Sequence, residues 1–123
     1  MNRKEFELLV EDELDRLPEA FAGRLANVQI VIEDAPAPAL LRSLGLAPGR
    51  ESLFGLYDGV PLSERGFNDG GLLPDRIVLF YKPLVRAFRT PRRIRRQIRF
   101  TLIHEIAHFL GMDEDEIDEL GYG

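Results

Sequence analysis

The chain contains no cysteine and no tryptophan, and only two histidines in 123 residues. Without thiols there is no disulfide framework, and any bound metal must rely on imidazole and carboxylate. No apolar run approaches the roughly 20 residues that a membrane span requires. The N-terminus, Met1-Asn2-Arg3-Lys4-Glu5, leads into an acidic amphipathic segment and lacks the apolar core of a signal peptide. These absences point to a soluble cytoplasmic protein with no membrane partner. A hydrophobic fraction of 45% is enough for one core, and the length suits a single domain spanning 1–123.

The net charge of −5 conceals a segregation of sign. Residues 86–99 carry Arg86, Arg89, Arg92, Arg93, Arg95, Arg96 and Arg99 with no acid among them. Residues 113–119 carry Asp113, Glu114, Asp115, Glu116, Asp118 and Glu119 with no base. A basic helix can contact nucleic acid. Here the arginines are expected to pair with the acidic N-terminal and C-terminal segments, so no nucleic-acid partner is expected.

Hydrophobic periodicity predicts a helix over residues 2–17, with Phe6, Leu9, Val10, Leu14 and Leu17 as its stripe and Pro18 past its end. Val28 to Glu33 is a β-branched run and reads as a strand. Residues 36–48 predict a short helix or turn closed by Gly45. Leu53 to Tyr57 reads as a second strand, in which Gly55 marks a bulge or a close backbone approach. Residues 58–74 read as a long loop, and Arg76 to Lys82 as a third strand ended by Pro83. Leu84 to Phe88 then forms a helical turn. A long helix starts at Thr90 (N-cap) and Pro91 and stops near Gly111, and a last short helix uses Ile117 and Leu120 as apolar contacts. The fold class is α+β.

Both histidines lie in that long helix, around a glutamate: His104-Glu105-Ile106-Ala107-His108. Positions four apart share a helix face, so both imidazoles can reach one metal ion. Glu105 then stands beside the metal, placed to act on a water that the metal activates. This is the helix signature of zinc metalloproteases. Apolar rows flank the histidines, Ile94, Ile98 and Leu102 on one side and Ile103, Ile106 and Leu110 on the other, which predicts a packed interior or a cleft. A catalytic zinc usually takes three protein ligands, and with no third histidine the last must be a carboxylate. Gly111 turns the chain back toward the metal, leaving Glu114, ten residues after His104, as the first candidate and Asp115 as the alternative.

The stretch from His104 through Glu114 to Tyr122 resembles the bacterial minimal zincin-like metallopeptidases. So do Gly55-Leu56-Tyr57-Asp58-Gly59-Val60-Pro61-Leu62 and Pro74-Asp75-Arg76-Ile77. The resemblance covers nearly the whole chain. It implies a small mixed sheet of about three strands packed on the helix of His104, Glu105 and His108, with an N-terminal helix and a short C-terminal one. It also implies His104 and His108 as zinc ligands and Glu105 as the catalytic acid and base. The family pattern has aspartate where this chain has Glu114, one methylene longer. Larger relatives carry a methionine turn beneath the metal. Met112 is too close to serve that role, which makes Tyr122 an accessory candidate for the floor of the site or for a transition-state hydrogen bond.

The expected function is zinc-dependent hydrolysis of peptide bonds in a peptide or protein substrate. Strand 76–81 is expected to be the sheet edge that pairs with substrate, and loop 58–74 to cover the cleft. The alternative is a weakly active or inactive zincin-like scaffold that binds metal or protein, with a homodimer through the sheet edge as one form.

Overall fold

The computed structural model describes residues 1–23, 25, 28–59, 75–119 and 121. In chain order its elements are α1 (Arg3–Asp15), α2 (Glu19–Ala22), β1 (Val28–Glu33), α3 (Pro38–Ser43), β2 (Gly55–Asp58), β3 (Asp75–Phe80), α4 (Tyr81–Phe88), α5 (Pro91–Phe109) and α6 (Glu114–Glu119). The result is the expected α+β arrangement, with a small mixed sheet beside the long helix.

The sheet has strand order β1-β3-β2. β1 runs parallel to β3, from Val28 opposite Asp75 to Glu33 opposite Phe80. β2 runs antiparallel, from Gly55 opposite Leu79 to Asp58 opposite Arg76. β3 is therefore the central strand, which corrects the expectation that it forms the substrate-pairing edge. The physical reason lies in its composition: Ile77, Val78, Leu79 and Phe80 are all buried, the continuous apolar run of a strand covered on both faces. Among the described residues, β1 and β2 are the edges. At the end of β2, Arg76 donates to Asp58 across the register at 2.7 Å.

β3 also ends earlier than expected. The chain turns helical at Tyr81, so Pro83 sits in the first turn of α4 and does not terminate the strand. Proline is tolerated there because the first-turn N–H has no intrahelical acceptor. α4 and α5 meet at Arg89, which has φ 63° and ψ −43°. The N–H of Thr90 donates to the carbonyl of Phe88 at 2.7 Å across it, a γ-turn around a non-glycine residue. Thr90 then caps α5, accepting from the Arg93 N–H at 3.3 Å, with Pro91 in the first turn as expected. The four-residue helix α2, whose Phe21 is buried, was not anticipated by periodicity.

α1 packs along α5. Asn2 caps α1 by accepting from the Glu5 N–H at 2.8 Å. Phe6, Val10, Glu13 and Leu17 occupy one buried stripe of α1 and its extension. Sequence reasoning puts Glu13 on the acidic outer face, yet its side chain is fully buried. Its partners come from α5: Arg99 grips it through Nε at 2.8 Å and Nη2 at 3.1 Å, and Arg95 approaches at 3.4 Å. Arg95 also bonds Asp12, which Arg16 reaches at 3.2 Å. Two of the seven arginines in residues 86–99 are thus held by the N-terminal acids, whereas among the described residues none pairs with the C-terminal acids, so the internal-pairing expectation holds in part.

Truncating a carboxylate in such a two-armed grip should be costly. Arg99 is half-exposed and recovers water, so Glu13→Ala is expected to destabilise the fold by about 3 kcal/mol, toward the low end for a broken buried pair. Urea denaturation at neutral pH measures it. The hydrogen bond from Arg95 holds the Asp12 carboxyl below its ordinary value of 3.8. This contribution to stability is present above pH 3.8 and is lost as pH falls through the lower folded value. Asp12→Asn should therefore flatten the acid limb of the stability curve and leave its alkaline limb unchanged, which urea midpoints across a pH series will show.

Candidate metal centre and cleft

α5 has to satisfy two demands. Ile94, Ile98, Leu102, Ile103 and Ile106 are 0–1% exposed and enter the core, leaving a narrow face for His104, Glu105 and His108. β2 crosses this helix closely. A Cβ on Gly55 would stand 2.5 Å from Cγ2 of Thr101 and 3.2 Å from the carbonyl of Val78, so glycine at that position is what lets the strand lie against α5. The close-approach reading of Gly55 holds.

His104 is well oriented. Its Nδ1 lies 2.9 Å from the carbonyl oxygen of Phe100, one turn earlier, and its ring stacks on the Phe100 ring with centroids 4.1 Å apart. A carbonyl only accepts, so Nδ1 carries a proton in this bond and Nε2 is the nitrogen left for other partners. A metal-binding histidine is commonly fixed in this way by a carbonyl behind it. Nε2 faces Glu114, whose Oε2 lies 3.7 Å away. An imidazole nitrogen and a carboxylate oxygen at this separation can be joined by a cation, either a metal ion or the imidazole's own proton. Two ligands on one tetrahedral zinc stand about 3.3 Å apart, given bonds of about 2.0–2.1 Å.

The position of Glu114 follows from two local motifs. α5 ends in a Schellman turn: Gly111 (φ 72°) donates to His108 at 3.1 Å and Met112 donates to Ala107 at 2.9 Å. α6 then opens with a capping box, in which Asp113 accepts from the Glu116 N–H at 2.8 Å and Glu116 accepts from the Asp113 N–H at 3.4 Å. Asp113 and Glu116 are thereby engaged in capping, and Ile117 anchors the helix in the core. Of the two candidate carboxylates, Glu114 is the one that approaches His104. Both carboxylates are exposed, Glu114 at 71%, so the approach to His104 and not burial distinguishes them.

The second half of the site is open. His108 is 56% exposed, less enclosed than the flanking apolar rows suggest, and its Nδ1 lies 3.4 Å from Oε2 of Glu105. Among the described residues no three of His, Cys, Asp and Glu converge on one point. The donor set is nonetheless chemically suited to catalytic zinc: two imidazoles and a carboxylate, with one imidazole already fixed by its carbonyl. Leu120, Tyr122 and most of loop 58–74 lie outside the described residues.

Glu105 and His108 form one wall of an open cleft of about 560 Å³. Gly55, Leu56, Tyr57 and Gly59 from β2 and its end, with Leu44, Leu46 and Leu53, line the rest. Tyr57 is held by its hydroxyl, which donates to Asp75 at 2.8 Å, and by a ring contact with Phe109 at 5.8 Å. Sequence reasoning missed the three leucines before β2. The sequence reading places them in the short helix or turn of 36–48 and in the second strand, but no shared period links them to a common cleft.

Residues 25–123 match the model of the zincin-like metallopeptidase family, and the chain belongs to that family. In overall structure it is similar to a conserved hypothetical protein from T. thermophilus, with a TM-score of 0.56 and 24% identity over 98% of this chain and 97% of the other. That likeness extends to the fold. No curated protein matches the sequence. Among the described residues no helix is long and apolar enough to cross a membrane.

The Schellman turn offers a direct test of how Glu114 is placed. Gly111→Ala forces a side chain into the left-handed region and is expected to cost about 1–2 kcal/mol in urea denaturation.

Proposed function

We propose that the chain is a zinc-dependent peptidase acting from the cleft between β2 and α5. The observation that carries this reading is the orientation of His104, with Nδ1 on the Phe100 carbonyl and Nε2 turned to the Glu114 carboxylate. His104, His108 and Glu114 would hold the metal, with Asp115 the alternative carboxylate. A zinc ion in such a site lowers the pKa of a water toward neutrality and polarises the substrate carbonyl.

The remaining work falls to the chain itself. Glu105 is one residue round the helix from His104, and its side chain is 15% exposed, on the cleft wall. Its carboxylate accepts a proton from the attacking water and returns it to the leaving amine, which must be protonated to depart. His108 lies within reach of Glu105 and helps hold that carboxylate in the cleft. Among the described residues β2 is an edge strand, and such an edge offers backbone pairing to an extended peptide, the role the sequence reading gave to β3. The Phe100 ring, stacked on His104, keeps the imidazole in one rotamer.

Calorimetric zinc titration of chelator-stripped protein tests the site. One-to-one binding is expected, weakened at least tenfold by His108→Ala and by Glu114→Ala. Asp115→Ala should leave it unchanged. Glu105→Gln should keep the zinc affinity and lose turnover of a peptide pool by about a hundredfold or more. Hydrolysis that persists in Glu105→Gln would remove the proposed role of that residue. Zinc binding without any cleavage would favour a metal-binding scaffold.

A further inference from the structure

Four leucines, Leu44, Leu46, Leu53 and Leu56, converge on the cleft beside Glu105 and His108. None of them belongs to the hydrophobic core, nor to the partly buried side chains packed against it. Leu44 is 47% exposed, although it follows a short helix whose Leu41 is buried. Among the described residues this apolar cluster is not used by the core and is gathered around one open cleft, a surface suited to an apolar occupant. A volume of about 560 Å³ falls in the range of ligand sites and admits a large side chain with adjoining backbone.

The backbone beside the cluster defines the kind of occupant. Phe80 donates to the carbonyl of Phe54 at 2.9 Å, so this pair is a hydrogen-bonded one in the β2–β3 ladder. Gly55, the next residue, is then a non-hydrogen-bonded position whose peptide groups point away from β3, along the outer edge of β2. Gly55 also lines the cleft. A strand laid on that edge has its alternate side chains projecting to one face.

We infer that the cleft is a side-chain subsite for an extended peptide, and that it selects a large aliphatic or aromatic residue next to the bond presented to Glu105. Leu44, Leu46, Leu53 and Leu56 form its wall. The inference rests on the reading of the chain as a peptidase and adds the substrate class to it. Among the described residues, no charged side chain lines the cleft apart from Glu105 and His108. A charged residue entering it would lose water against an apolar wall, and an acidic one would also face Glu105. Alanine would leave most of the apolar wall in contact with water.

The test uses labelled octapeptides in an alanine background, each with a single central leucine, phenylalanine, alanine, aspartate or lysine. Fluorescence anisotropy measures their binding to chelator-stripped Glu105→Gln protein, so neither metal nor turnover enters the reading. Leucine and phenylalanine peptides are expected to bind about tenfold more tightly than the others. Leu46→Ser and Leu53→Ser should each remove most of that preference while leaving the urea midpoint within error, because neither residue supports the core. Equal binding of all five peptides overturns the inference, as does a preference that survives both serine variants. So does a wild-type dimer that Leu53→Ser dissociates while no peptide binds, which would make a second copy the occupant. A parallel cleavage assay on zinc-loaded wild type separates the two readings. Leucine-dependent binding without cleavage keeps the subsite and sinks the peptidase. Cleavage indifferent to the central residue keeps the peptidase and sinks the subsite.

Discussion

The helix α5 has to be fixed against two neighbours at once, and everything at the site depends on how that is done. On one side Arg99 and Arg95 hold the buried carboxylate of Glu13, so α1 can slide along α5 only by breaking a charge-assisted grip. On the other side Gly55 lets β2 lie against Thr101, closer than any side chain would permit. Apolar burial alone would tolerate small shifts in the register of these contacts, whereas a two-armed ion pair and a glycine-width approach do not. The helix face bearing His104, Glu105 and His108 is therefore held relative to the strand that lines the cleft.

A second layer of order comes from the last turn of α5 and the first of α6. The Schellman turn at Gly111 reverses the chain, and the capping box of Asp113 and Glu116 starts a new helix within two residues. Six acids crowd this segment, but they are not equivalent. Two close the box, and Glu114, between them, is left turned toward Nε2 of His104. A cluster that reads from composition as a solvated acidic patch thus has positional structure, imposed by backbone hydrogen bonding.

The elements with strong local signals were legible in the sequence. α5, with Thr90, Pro91 and Gly111 as its punctuation, β1 with its β-branched run, and the close approach at Gly55 all follow from residue types. The family was legible too, because the histidine and glutamate spacing carries a mechanism. Sheet order was not, since which strand lies in the middle depends on distant pairings. A hint stood in β3, whose four consecutive buried apolar residues differ from the half-buried pattern of β1. Glu13 was misplaced because helical periodicity assigns a face and cannot foresee a partner 86 residues away. The leucine-lined cleft escaped for a related reason: its residues come from separate segments with no shared period.

The parallel pairing of β1 with β3 bears on when the cleft comes into existence. α4, the turn at Arg89 and α5 are joined by contacts between near neighbours in the chain, which form cheaply and fast. The β1–β3 ladder joins Val28 to Asp75, with α3 and β2 lying between them in sequence, and must overcome the entropy of closing that long loop first. β2 has β3 as its ladder partner and cannot settle as a strand before β3 does. A chain still on its way to the native state can thus carry the histidine helix before the strand that lines the cleft has paired.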